Sequence, residues 1–344
     1  MRVALLWFLF ATWPASPALA GRCSGAEAQL AQISKQLTLN SLDGVKPALE
    51  SLSRAYPDCP EILLQQARFA EAEGNPDAAA DLYYRYTDSD PNDSKGLAYF
   101  GRFFLEQRDY MRADALSAAA VQKNANDPAA LALRGQILVM KSQASEGQNL
   151  LEKAVQLNAD DPEAQFQLGA VYDKAKSAPK AVERFRAVVK LNPHDARAWD
   201  YLALNLEPLG DLDGADHAYR KGLDVNQPGK YHDAFLDYNY ARFLAKRNDL
   251  VASKQHLDRA VELIPQIRAV WYERARLDMR MHNYEQARVD GEKAAACTQD
   301  GGIIDLQIYS LLSQVYTRLG DKTSAKKYTD LTRETPPPVR GESR

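Results

Sequence analysis

Residues 162–195 read PEAQFQLGAVYDKAKSAPKAVERFRAVVKLNPHD, and this stretch decides the fold. Phe166, Gly169 and Tyr172 fall at helical spacing, and so do Ala181, Phe185 and Val188, so each half predicts an amphipathic helix. Residues 174–179 between the halves are polar and end in Pro179, which suits the first turn of a helix. Asn192-Pro193 closes the stretch. The reading is two antiparallel helices joined by a short turn.

The same unit recurs in both directions. Ala67, Gly101, Gly135, Gly169 and Ala203 each stand 34 residues after the last, and the series continues through Ala241, Ala275 and Ser313 at steps of 38, 34 and 38. A second series, Ala79, Ala113, Gly147, Ala181, Ala215, Ser253, Ala287 and Ala325, keeps the same beat and breaks at the same two places. A fixed period of this length signals stacked repeats, because no single hairpin can bury its own apolar face. Small side chains are needed where the two helices of a hairpin cross, since larger ones would force the backbones apart. The breaks imply four-residue insertions near 230–233 and 302–305.

These residues resemble the tetratricopeptide repeat (TPR) family. Trp199, Leu202, Ala203, Gly210, Ala215 and Tyr219 match its pattern, as do Trp271, Ala275, Ala287 and Ala294, with Pro57, Pro91, Pro193 and Pro265 as closing prolines. The resemblance implies an all-α fold, a right-handed superhelical solenoid of stacked helix-turn-helix repeats, and protein or peptide binding in a concave groove. The phase sets an array over 21–334 with units at 26–59, 60–93, 94–127, 128–161, 162–195, 196–229, 234–267, 268–301 and 306–334. The first unit is degenerate, with Ile33 and Val45 at the two small positions, as suits a terminal cap. Residues 335–344, with three consecutive prolines and no apolar period, are expected to be a disordered tail.

The N-terminus reads as a signal peptide over 1–20. Arg2 precedes an apolar stretch, and Ala18-Leu19-Ala20 is a small-x-small cleavage site. Cleavage would remove one cation and no anion, taking the net charge from −3 to −4. Export to the periplasm or outer envelope of a bacterium follows as an expectation. It would place the cysteines in an oxidising compartment, where a Cys23–Cys59 disulfide would tie the ends of the first hairpin. Cys297 is expected to be a buried core thiol. Arg274 and Asp278 occupy positions where Leu and Tyr are usual, and their spacing allows a local ion pair.

No nucleophile, metal-ligand or phosphate-loop motif occurs, so no enzyme, metal site or cofactor is expected. The five histidines lie in different repeats and read as surface or turn residues. A near-neutral chain without a concentrated basic face gives no sign of nucleic-acid binding. The family's inward-facing helix positions map instead to a groove. In its fourth unit Ala129, Ala132, Gln136, Val139 and Met140 are mostly apolar, and the fifth and sixth units offer Glu163, Phe166, Asp173, Lys174, Arg197, Asp200 and Glu207, which are mixed to acidic. The seventh to ninth units supply Phe235, Tyr238, Arg242, Lys246, Tyr272, Arg276, Arg280 and Arg318. Arginines interleaved with aromatics suit an acidic or carboxylate-bearing peptide. An exported protein-binding scaffold is therefore the expected function. A holdase for secreted clients and an accessory of polysaccharide binding or export are the alternatives, the latter through sugar stacking on Trp199, Tyr201, Trp271 and Tyr272.

Overall fold

A computed structural model describes residues 22–298 and 302–335. The expected leader over 1–20 and the tail beyond Thr335 lie outside them. Every regular element among the described residues is helical, and none is long and apolar enough to cross a membrane. The chain divides into two compact units at Val171 and Tyr172. The first holds α1 (Glu27–Thr38), α2 (Val45–Ala55), α3 (Pro60–Ala72), α4 (Pro76–Ser89), α5 (Ser94–Glu106), α6 (Tyr110–Lys123), α7 (Pro128–Met140), α8 (Ala144–Leu157) and most of α9 (Pro162–Lys174). The second holds α10 (Ala178–Leu191), α11 (Ala196–Leu206), a 3-10 turn (Glu207–Leu209), α12 (Leu212–Val225), α13 (Leu236–Lys246), α14 (Leu250–Leu263), α15 (Arg268–Arg280), α16 (Tyr284–Ala296), α17 (Asp305–Leu319) and α18 (Lys322–Glu334).

Within each unit, hairpins such as α5/α6, α7/α8, α13/α14 and α15/α16 pack as pairs, and first helices also touch the first helix of the next hairpin, as α5 does α7 and α13 does α15. The small residues sit at the crossings. A Cβ on Gly135 would come within 2.8 Å of the Gly147 carbonyl oxygen, and one on Gly147 within 2.6 Å of the Gly135 oxygen, so α7 and α8 meet backbone to backbone. Ala79, Ala113, Ala215, Ala241, Ala275 and Ala287 have no exposed surface. Serine also serves, because its hydroxyl is satisfied across the crossing: Ser253 Oγ donates to the Ala241 carbonyl at 2.8 Å and Ser313 Oγ to the Ala325 carbonyl at 3.4 Å.

A second column with the same beat emerges from the backbone. Asn40, Gly74, Arg108, Ser142, Lys176, Gly210, Asn248, His282 and Gly320 all have φ between 55° and 80°. Each ends the first helix of its hairpin in the left-handed region. The Ser142 turn is typical, with Gln143 N–H bonding to the Leu138 carbonyl at 2.9 Å and Ser142 N–H to that of Val139 at 3.1 Å, the paired bonds of a Schellman motif. Helix starts are closed by acidic or amide caps, among them Asn75, Asp93, Asp109, Asp127, Asp195, Asp211, Asp249 and Asp321.

The structure bears out one sequence expectation and sharpens or revises others. The first unit is well packed: Ile33 and Val45 are buried in a cluster with Leu30, Leu49, Ile62 and Phe69. Cys23 and Cys59 are bonded, with Cα atoms 4.9 Å apart. Cys59 caps α3 as well as closing the first repeat. Cys297 follows α16 as its C-cap and is half-buried rather than buried. Arg274 and Asp278 do not pair with each other. The Arg274 guanidinium grips Asp290 through two bonds of 2.7 and 2.8 Å and reaches Asp258 at 3.0 Å, while Asp278 faces Lys254 at 3.3 Å. Their partners lie on α14 and α16, because a helix buried on that side meets neighbouring helices before its own next turn. Nor is His256 a surface residue, since its ring contacts buried Asp237 at 2.7 Å.

Candidate functional site

The seventh and eighth hairpins present two helices in the same phase. On α13, Leu236, Tyr240, Ala241, Phe243 and Leu244 are buried, which leaves Arg242 and Lys246, four apart, on the outer stripe. On α15, Val270, Trp271, Ala275 and Leu277 are buried, which leaves Arg276 and Arg280 in the corresponding places. All four cations line one depression of about 160 Å³, with small Ala241, Ala245 and Ser253 among its walls and Glu273 as its one acidic residue. The volume admits one or two side chains rather than a cofactor.

Like charges four apart on a helix repel by roughly 0.2–0.5 kcal/mol per pair, and neighbours offset this unevenly. Lys246 bonds to Glu207 at 2.6 Å, and Arg276 bonds to both carboxylate oxygens of Glu273 at 3.0 Å. Arg280 donates to the Ala245 carbonyl at 2.9 Å and to Asn248 Oδ1 at 3.1 Å, which fixes its guanidinium across the two helices. Arg242 has no ion pair among the described residues and lies over the Tyr238 ring, 5.4 Å from its centroid. Arg276 is similarly placed over Tyr272 at 5.7 Å. Burial raises the Tyr272 hydroxyl above the usual phenol range, so that ring acts as a neutral platform.

Of the eight residues named from the sequence, the structure thus gathers Arg242, Lys246, Arg276 and Arg280 and sets Tyr238 and Tyr272 beneath two of them. Phe235 is exposed at the start of α13 but does not line the depression. Arg318 is exposed on α17 and does not line it either. Glu207 and Asn248 were missed as parts of the site. Glu207 was visible only as an acidic inner-face position, and its role is set by Lys246, 39 residues away.

Two other candidates fare differently. A depression of about 280 Å³ in the first unit is lined by Arg102, Glu106, Arg108, Gln136, Met140 and Glu163. Burial works against the charge on Arg102, but Glu163 and Asp161 outweigh it and raise its pKa, so this hollow is charge-balanced. The paired tryptophans are tied to packing. Trp199 Nε1 donates to the Pro193 carbonyl at 2.8 Å, and Trp271 Nε1 to that of Pro265 at 2.7 Å. Each indole therefore caps the turn that closes the preceding repeat. Among the described residues no cluster of His, Cys, Asp and Glu could hold a metal ion.

Tetratricopeptide-repeat models match residues 40–94, 138–204 and 306–329. The chain is a tetratricopeptide repeat protein. No curated protein matches the sequence. Among solved structures, this TPR protein is similar to a chain of the APC/C hetero-tetramer Cut9–Hcn1, with 13% identity and a TM-score of 0.62 over 85% of this chain. It spans only 56% of that chain's length. The human IFIT1 dimer with PPP-AAAA matches with 16% identity and a TM-score of 0.53, over 86% of this chain and 69% of that one. PilW, described as a widely conserved type IV pilus biogenesis factor, matches with 16% identity and a TM-score of 0.52, over 60% and 93%. At these identities the likeness is one of fold.

Proposed function

We propose that this TPR protein is an exported, non-catalytic adaptor that captures an acidic peptide segment through the basic depression on α13 and α15. The observation that carries this reading is the pairing in phase of Arg242 and Lys246 with Arg276 and Arg280 around one small hollow. Arg242 is held over an aromatic ring without a counter-charge, so an incoming carboxylate meets a guanidinium that need not leave another partner. Such charge-assisted, bidentate bonds are the strong ones available to Arg. The leader over 1–20 supports a role in the cell envelope, and PilW offers a protein of similar fold whose description is pilus biogenesis. The sugar-stacking alternative has less support, because the indole N–H groups of Trp199 and Trp271 are already committed to proline carbonyls.

Fluorescence anisotropy tests the binding reading with a labelled peptide rich in Asp and Glu and its Asn/Gln counterpart. The acidic peptide should bind, and the uncharged one should not. An Arg242→Glu/Arg276→Glu/Arg280→Glu variant with an unchanged circular dichroism spectrum should lose at least tenfold in affinity. Equal binding by that variant, or displacement by a single-stranded oligonucleotide but not by unlabelled acidic peptide, would sink the proposal. Mass spectrometry of protein recovered from a bacterial envelope should place its N-terminus at Gly21.

A further inference from the structure

The two helices of the basic depression repeat each other in sequence. Tyr238, Asn239, Arg242 and Lys246 of α13 stand 34 residues before Tyr272, Glu273, Arg276 and Arg280 of α15. Each helix brings two cations, one turn apart, to the same hollow, so the four stand like the corners of a square. The counter-charges do not repeat. Lys246 Nζ sits on Glu207 Oε2 at 2.6 Å, and the Tyr219 hydroxyl holds Glu207 by donating to its other oxygen at 2.7 Å. Arg276 Nη1 meets both oxygens of Glu273, 3.0 Å from each. The position on α13 that matches Glu273 is Asn239, and its amide donates to Asp200 at 2.8 Å.

The other two corners are open. Arg242 is exposed, forms no ion pair among the described residues, and lies over the Tyr238 ring at 5.4 Å. A ring takes one face of a guanidinium and none of its N–H groups. Arg280, also exposed, meets neutral acceptors: the Ala245 carbonyl at 2.9 Å and Asn248 Oδ1 at 3.1 Å. These bonds position the guanidinium without cancelling its charge, and a guanidinium carries more N–H groups than two bonds use. Arg242 is the first cation of its helix and Arg280 the second of its own, so the two open corners lie on a diagonal.

We propose that Glu207 and Glu273 are built-in carboxylates that already fill two of the four anion positions, and that the site takes a segment with two acidic side chains laid along the open diagonal from Arg242 to Arg280. This rests on the acidic-peptide reading and adds the pattern of acids that the site selects. A ligand carboxylate at Lys246 or Arg276 has to share its cation with an acid of this chain or drive that acid out. Both acids are largely covered, Glu273 at 17% and Glu207 at 13% exposure, so driving either out moves a packed side chain. At Arg242 and Arg280 a ligand carboxylate displaces no resident acid, and each guanidinium is free to bond it in the charge-assisted way. A segment with one acid engages one open corner and leaves the other unused. Glu273 acts on the ligand through Arg276, and a neutral side chain in its place opens a third anion position.

Anisotropy titrations of the full chain test this with a labelled Gly/Ser peptide that carries two Glu residues, and with the same peptide after one Glu is changed to Gln. Arg242→Gln and Arg280→Gln should each weaken binding of the two-acid peptide by about fivefold, the upper end for an exposed ion pair. Lys246→Gln and Arg276→Gln should each weaken it by less than about twofold, because those cations are already paired. Glu273→Gln should tighten binding by about threefold, and the gain should vanish when Arg276→Gln is added. Glu262→Gln removes the same charge from an exposed position of α14 outside the depression, and should leave affinity alone. Loss of one Glu from the peptide should cost the wild type about fivefold. Unchanged circular dichroism spectra show that each variant is folded. Equal losses at all four cations, or no gain from Glu273→Gln, would overturn the diagonal while the acidic-peptide reading stands. No binding of the two-acid peptide by either the wild type or Glu273→Gln would overturn both. Binding by Glu273→Gln alone supports both.

Discussion

Ser142, Lys176, Arg108 and His282 hold a backbone conformation that costs an L-residue roughly 1–2 kcal/mol relative to the ordinary helical region. Glycine removes that cost but brings back roughly 0.5–1 kcal/mol of chain entropy. Ser142 is exposed and no side-chain hydrogen bond depends on it, so Ser142→Gly should stabilise the protein by about 0.5–1 kcal/mol. A higher urea midpoint at unchanged slope would show it. The opposite holds at the helix crossing, where a methyl on Gly147 meets the Gly135 carbonyl oxygen at 2.6 Å and backbone cannot give way as a side-chain tip does. Gly147→Ala should destabilise by about 1–3 kcal/mol, the range for overpacking a tight interior. A wild-type midpoint for that variant would mean that α7 and α8 separate without cost.

Pairs of helices carry the next level. Asp290 has no exposed surface and takes two bonds from Arg274 plus one of 3.0 Å from Gln286. Asp290→Asn leaves the Arg274 guanidinium buried with a neutral partner and should cost about 3 kcal/mol, the low end for breaking a buried pair. Replacing both together, Arg274→Leu with Asp290→Ala, restores the apolar pattern of the other repeats and should cost far less. At the N-terminus, the Cys23–Cys59 bridge closes 36 residues of chain. Loop entropy assigns it about 3–4 kcal/mol, so Cys23→Ser/Cys59→Ser should speed exchange in α1 and α2 while leaving α7 and α8 protected. These two cases mark what could be read from sequence. The small residues at the crossings were legible because steric demand recurs with the period. The left-handed column was not, because only Gly74, Gly210 and Gly320 of its nine members announce themselves. The partners of Arg274 were not legible because charge position within one helix says nothing of which neighbouring helix lies opposite.

At the scale of the whole chain, 43 basic and 46 acidic residues nearly cancel, giving −3. A protein of that charge exerts little long-range pull on a polyanion, so the proposed recognition of an acidic segment must come from the local field of the cations on α13 and α15. That field is built from exposed or half-exposed side chains, which salt screens effectively: the Debye length falls from about 10 Å at 0.1 M to about 3 Å at 1 M. Each exposed ion pair to a bound peptide contributes roughly 0.2–1 kcal/mol, so three or four together should make affinity fall on the order of tenfold between those salt concentrations. The buried Arg274–Asp290 pair is shielded from that screening, so the fold should persist where binding fades. Anisotropy titrations at 0.1 and 1 M sodium chloride, run beside circular dichroism at both, separate the two effects. Affinity that does not move with salt would mean that apolar contact, rather than the four cations, holds the peptide.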